Sequence, residues 1–221
     1  MKTRIVLLLI VSLLWNCKQK PSKAKEEAPI PNEKPVQSLS PIISELAKFA
    51  DLTVLDTLDA IQFIDFKQID ENHAVTTIDM NQAVVLYRKM TKREQVTSLP
   101  IFEIKDSDTA ILFVQGVGFG GAIWATILVD KSTLGIKKIE FDHKAESEGY
   151  GAAMTQSSFE DKFVGTKIDL EKNTFTLQKN MESRIDDGTK IDGISGATMT
   201  NQGVIEMVNE GLKKYKGYLN H

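Results

Sequence analysis

The chain has 221 residues, 42% of them hydrophobic and 26% charged, with a formal net charge of −3. That length holds one ordinary domain with a tail, or two small domains, and the composition supports a packed core. The weak net charge excludes a basic field for nucleic acid, the single cysteine, Cys17, excludes an intramolecular disulfide or a multi-cysteine metal centre, and His73, His143 and His221 show no ligand spacing.

The amino terminus, MKTRIVLLLIVSLLWNC, sets Lys2 and Arg4 before an apolar run, Ile5–Trp15, broken only by Ser12. A helix needs about 20 residues to cross a bilayer core, so this run is too short to span one and has the length of a secretory h-region. With Cys17 two residues beyond it, the segment resembles a bacterial lipoprotein signal: residues 1–16 removed and Cys17 lipidated. A short membrane anchor, or a buried cysteine, is the alternative. Residues 17–41 hold Pro21, Pro29, Pro31, Pro35 and Pro41 among Lys and Glu, with no aromatic residue. Such a stretch buries too little to offset its ordering entropy and reads as a disordered tether, leaving residues 42–221 as the domain.

Within the domain, Ser40-Pro41 is an N-cap with Pro at the first helical position, and Ile42, Ile43, Leu46, Phe49 and Ala50 follow at helical spacing. AIQFIDFKQI and HAVTTIDM read as short strands; AVVLYRKM fits either type. Four strands are expected over Ile101–Ile104, Ala110–Gln115, Ala122–Val129 and Ile136–Asp142, with turns at Asp106–Asp108, at the glycine cluster and at Lys131–Gly135. Short links imply antiparallel pairing. An irregular stretch, Lys144–Ala153, leads to a short helix, Ser157–Phe163, then a strand in TFTLQK. A final helix is expected from about Thr200 to Tyr218, with Val204, Val208, Leu212 and Tyr215 on one face and lysines in its last turns. The fold class is α+β: one domain, a twisted antiparallel sheet flanked by helices.

Two glycine motifs carry candidate chemistry. GVGFGG (Gly116, Gly118, Gly121) satisfies GxGxxG, but the strand-like AIWATILV follows it where a dinucleotide fold requires a helix. A glycine-rich hairpin turn, or room for a flat ligand to approach the backbone, remains. In IDGISGATMTNQGV, the small Ser195, Gly196 and Ala197 precede a helix whose unpaired N–H groups suit an anion. Thr198 or Thr200 as a plain N-cap is the other reading.

Asp192–Thr200, DGISGATMT, is similar to the flavinylation motif Asp-x-x-(Ser/Thr)-Gly-Ala-Thr. That motif occurs in the FMN-binding domain of the C subunit of the sodium-translocating NADH:quinone reductase and in the G subunit of the Rnf electron-transport complex. LPIFEI, GVGFGGAIWA, IKKIEFDHKAESEGYG and the terminal GVIEMVNEGLKKYKGYL follow in that family's order, so the resemblance spans roughly Leu99–Leu219 and is weak over 42–98. It implies FMN joined to Thr198 through a phosphoester, installed from FAD by a separate Mg-dependent flavin transferase outside the cytoplasm. The Thr198 oxygen must then be exposed and mobile enough to enter another enzyme, and Gly193 and Gly196 suit such a loop. Asp192 is expected to orient the loop or bind the metal during transfer, and Ser195 to donate to the phosphate, beside Gly196, Ala197 and Thr200. AESEGYG corresponds to the segment against the flavin ring. Glu146 is retained, Ser147 and Tyr150 stand at the family's Thr and Leu positions, Glu148 replaces a proline ahead of Gly149, and Gly118 belongs to the glycine turn. An added carboxylate at Glu148 would disfavour the anionic reduced flavin; Tyr150 stacks on the ring or is a surface loop residue. His143 is given no redox role.

The resemblance thus implies an electron carrier rather than a free-standing enzyme, working with membrane redox proteins, while the leader and Cys17 read as export and a lipid anchor. A true spanning helix usually holds the sodium-pump protein. The short leader and Cys17 therefore leave a stand-alone flavin carrier as a rival, and a non-redox surface lipoprotein without flavin as a further one.

Overall fold

The computed structural model describes residues 41–53, 60–92, 94–178 and 188–220. The expected export signal, Cys17 and the tether up to Ser40 lie outside the described residues. Helix α1, Pro41–Phe49, buries Ile43, Leu46, Ala47 and Phe49 along one stripe. Strands β1 (Ile64–Asp70) and β2 (Val75–Thr77) form a hairpin. Its turn is closed by Asp70 Oδ1, which accepts from the N–H groups of Asn72 and Ala74 at 2.9 Å each. The undecided AVVLYRKM is helical, within α2, Met80–Thr91. The deciding signal is a capping box: Asp79 accepts from Gln82 N while the Gln82 side chain accepts from Asp79 N, so two orphan donors are satisfied before the first turn.

Four strands then run as a meander: β3 (Ser98–Ile104), β4 (Thr109–Val117), β5 (Ala122–Asp130) and β6 (Gly135–His143). The sheet order is β2-β1-β3-β4-β5-β6, with every neighbour antiparallel. Ala110, Leu112 and Val114 of β4 enter one core while Ile111 and Phe113 enter the other. Burial on both faces explains why the strand reads as a continuous apolar run without alternation. One face is covered by α1 and α2. The other carries a 3₁₀ turn (Gly151–Thr155), helix α3 (Ser157–Glu160), and helices α4 (Thr198–Lys213) and α5 (Lys216–Leu219). Strands β7 (Phe175–Leu177) and β8 (Thr189–Ile191) pair in parallel as a separate ribbon; the sequence pattern shows only the first. Among the described residues no helix is long and apolar enough to cross a membrane.

The terminal helix differs from the expectation at both ends. It begins at Thr198, two residues early, and breaks after Lys213, because Tyr215 turns fully inward. The β3–β4 ladder holds only three residue pairs, Ile101↔Leu112 to Glu103↔Ala110. Pro100, next in line, has no N–H to offer. The Tyr215 hydroxyl takes that rung: it accepts from Phe113 N at 3.2 Å and lies 2.8 Å from Phe113 O and 3.2 Å from Pro100 O. Closer to the amino end, α4 lies almost directly on β4. A Cβ on Gly203 would strike the Val117 carbonyl, and one on Gly211 would strike the Val114 side chain. Asn209 adds a two-bond link to β7, donating to Phe175 O and accepting from Phe175 N, both at 2.9 Å. The helix is thereby fixed along its length, and its amino end is carried to the β4–β5 hairpin.

Candidate functional site

The loop from Asp192 to Ala197 joins β8 to α4. Asn201, buried in the first turns of the helix, holds it: Ile194 N donates to Asn201 Oδ1 at 2.9 Å, and Asn201 Nδ2 donates to Ile194 O at 2.8 Å. Glycine is required at 193, where a Cβ would stand 2.7 Å from Asn201 Nδ2. The Asp192 carbonyl accepts from Lys162 Nζ at 2.7 Å, and Gly196 adopts φ +74°. Ile194, in the middle of the loop, is thus anchored by a side-chain amide that supplies both bonds a neighbouring strand would make.

The plain N-cap reading of the threonines is corrected. Ala197 occupies the cap with φ −113° and ψ 43°, and no side chain caps the helix. Thr198 is the first helical residue and its side chain is exposed. The first-turn N–H groups and the positive end of the helix dipole thus face the loop beside that hydroxyl. Thr200 is buried to 1% exposure and its hydroxyl donates to Glu146 Oε2 at 2.8 Å.

Glu146 is the hub beneath this corner. Its other oxygen, Oε1, accepts from Gly120 N at 2.7 Å, and its own N–H donates to His143 Nδ1 at 3.1 Å. A Cβ on Gly118 or on Gly151 would run into the carboxylate, and one on Gly120 into the Ala145 carbonyl. Gly118 and Gly120 of GVGFGG thus let the hairpin touch the Glu146 segment, while Gly116 makes room for Met207 of α4. His143 has a structural part, orienting the Glu146 backbone.

Phe119, Glu146, Ser147, Tyr150, Gly151, Gly196, Ala197, Thr198, Met199 and Thr200 line one cleft of about 330 Å³. Three large apolar side chains stand exposed on its rim: Phe119 at 76%, Met199 at 60% and Tyr150 at 57%. Exposed apolar groups gathered around a concavity mark a binding site rather than chance. The Tyr150 ring lies over Gly196, where a Cβ would meet it at 3.0 Å. Of the residues singled out from the sequence, Glu146, Ser147, Tyr150, Gly196, Ala197, Thr198 and Thr200 meet at the cleft. Gly118 packs behind it against Glu146, Gly149 turns the approaching loop at φ +75°, and Asp192 and Ser195 are exposed on the loop outside its lining. Sequence reasoning missed Phe119, Met199, Gly151 and Asn201. An aromatic residue between glycines at a hairpin tip was the available signal for Phe119; nothing local marked Asn201, whose partner is a backbone seven residues away.

A nucleotide flavin fits this donor set. The uncapped helix end and the exposed hydroxyl suit a phosphate, and the apolar rim suits a flat ring. Residues 118–213 match the family model for the FMN-binding domain. The chain is 26% identical over 117 residues to the C subunit of the Na(+)-translocating NADH-quinone reductase of Vibrio alginolyticus, covering 51% of this chain and 45% of that protein. It is 24% identical over 168 residues to the counterpart in Chlamydia muridarum, covering 67% and 53%. The chain thus spans about half the length of these curated relatives. The crystal structure of the counterpart from Parabacteroides distasonis superposes with a TM-score of 0.64 at 25% identity, over 82% of this chain and 92% of the other. The Shewanella oneidensis NqrC structure shares the fold, with a TM-score of 0.59 at 18% identity, over 80% of this chain and 97% of the other. Over residues 118–213 the chain is similar to the FMN-binding domain family, and in sequence and fold it is similar to the C subunits of sodium-translocating NADH-quinone reductases.

Proposed function

We propose that the protein is an electron carrier holding FMN covalently on Thr198. The observation that carries this reading is the exposed Thr198 hydroxyl, at the head of a helix with no side-chain cap, opening on a cleft of about 330 Å³ rimmed by Phe119, Tyr150 and Met199. A cap residue would spend its hydroxyl on the helix; this one is free to be esterified. In the attachment reaction the bond from Thr198 Oγ to phosphorus forms as the pyrophosphate bond of FAD breaks. AMP leaves and the hydroxyl proton is released, with a flavin transferase supplying the catalysis. The first-turn N–H groups and Ser195 hold the phosphate, Asp192 serves the transferase complex, and Tyr150, Phe119 and Ser147 flank the ring. Bound there, the flavin supplies reversible electron transfer; the chain supplies position, exclusion of water and local charge.

The leader and Cys17 support a carrier outside the cytoplasmic membrane, tethered by a lipid, where diacyl anchoring suffices to retain a protein. Its partners are the redox proteins of a membrane NADH:quinone reductase or Rnf-type chain. A stand-alone lipoprotein carrier serving another quinone-linked reductase is the second reading, favoured by an apolar segment, Ile5–Trp15, too short to span. Co-expression with a flavin transferase should give a fluorescent band on a denaturing gel, and Thr198→Ala should abolish it. A dark wild-type band under those conditions defeats the redox reading. A mature chain beginning at a lipidated Cys17 supports the lipid-tethered carrier, and retention of Ile5–Trp15 favours an integral component of the complex instead.

A further inference from the structure

The Glu146 carboxylate forms part of the cleft wall yet is itself buried, at 7% exposure. Its partners are neutral donors, Gly120 N–H and the Thr200 hydroxyl, and among the described residues no Lys, Arg or His forms an ion pair with it. The backbone at Gly118 and Gly151 packs directly against its two carboxylate oxygens, leaving no room for a Cβ at either position. Glu148, the carboxylate the sequence made conspicuous, is exposed, so solvent and salt screen it. The unscreened charge at this cleft is Glu146.

Resting on the reading that FMN occupies this cleft, we propose that Glu146 lowers the reduction potential of the bound flavin and is the residue that sets it. Two electrons from a reductant and one proton from solvent leave a flavin ring one charge more negative. A fixed carboxylate beside it, in a medium of low dielectric, opposes that gain far more than a solvated one would. The Gly120 and Thr200 hydrogen bonds hold the charge at that place and partly neutralise it.

The test uses the full chain loaded by co-expression with a flavin transferase, with loading checked by intact mass before each redox titration. Glu146→Gln keeps the shape: it can still accept from Gly120 and can turn its amide toward Thr200. It should favour the reduced flavin at least tenfold, a rise of about 30 mV for a two-electron couple. Glu148→Gln, the exposed comparator, should shift the potential less, and its shift should shrink as salt rises. Thr200→Val removes a donor from the carboxylate and should lower the potential, which gives a second reading should Glu146→Gln fail to fold. A loaded Glu146→Gln at the wild-type potential, or a loaded Thr200→Val at or above it, overturns the proposal while leaving the covalent flavin in place. A wild-type chain that takes no flavin instead defeats the function on which the proposal stands.

Discussion

The two threonines of SGATMT have the same chemistry and opposite surroundings, and exchanging each for valine separates their roles. Valine matches threonine in size and branching, so helix propensity and packing change little. At 200 the hydroxyl is buried and donates at 2.8 Å to a buried carboxylate oxygen. A hydrogen bond to a charged group contributes about 1.5–3 kcal/mol, and its loss leaves Glu146 Oε2 without that donor. Thr200→Val should therefore destabilise the flavin-free domain by about 2 kcal/mol, a factor of about 30 in the folded-to-unfolded ratio. At 198 the side chain is exposed and caps nothing, so Thr198→Val should stay within about 0.5 kcal/mol of wild type. Urea unfolding of protein made without a transferase measures both, at an unchanged m-value. After loading, the fluorescent band should survive in Thr200→Val and vanish in Thr198→Val. Equal stability of Thr200→Val and wild type would refute the account of Glu146 as the hub. Fluorescence that vanishes only in Thr200→Val would put the attachment point at the wrong hydroxyl.

Three other outcomes follow from the packing. Asn209→Ala strips Phe175 of partners for both its buried N–H and C=O, and should cost about 3 kcal/mol; faster amide exchange at Phe175 would accompany it. Gly203→Ala gains helix propensity of about 1 kcal/mol but drives a methyl into the Val117 carbonyl; a net loss in thermal unfolding is expected, with the GVGFGG hairpin shifted. Glu103 takes hydrogen bonds from Lys131, Lys67 and Tyr218; these outweigh the upward push of its burial and hold its carboxyl at about 2, against an ordinary value of 4.5. Its folded value lies below its unfolded one, so its contribution is present above pH 4.5 and is lost as pH falls toward 2. Acid titration of stability should show that loss, and Glu103→Gln should flatten it.

Much of the scaffold was legible locally. Strands β3 to β6 follow from β-branched runs divided by turn residues and α1 from Pro41 and its apolar stripe, whereas the period of α2 is ambiguous and the Asp79–Gln82 capping box seen in the structure decides it. The loop at DGISGAT and the opposite wall at AESEGYG were marked only by the family resemblance. The strands and helices are properties of neighbours in the chain, where period, turn chemistry and capping act over a few residues.

What the chain alone could not settle are contacts between residues far apart in sequence. Nothing near position 200 says that its hydroxyl belongs to Glu146, 54 residues earlier, while the identical group at 198 stays free. The helix ends where Tyr215 reaches a rung left vacant by Pro100, 115 residues away, and the loop is anchored at Ile194 because Asn201 folds back on it. The sequence determined most strands and helices, because those obey local stereochemistry, and the motif entered through its resemblance to a family. Tertiary structure alone decided which polar groups are buried against one another, since the cost of an unpaired buried group is set only once the surfaces that bury it have met.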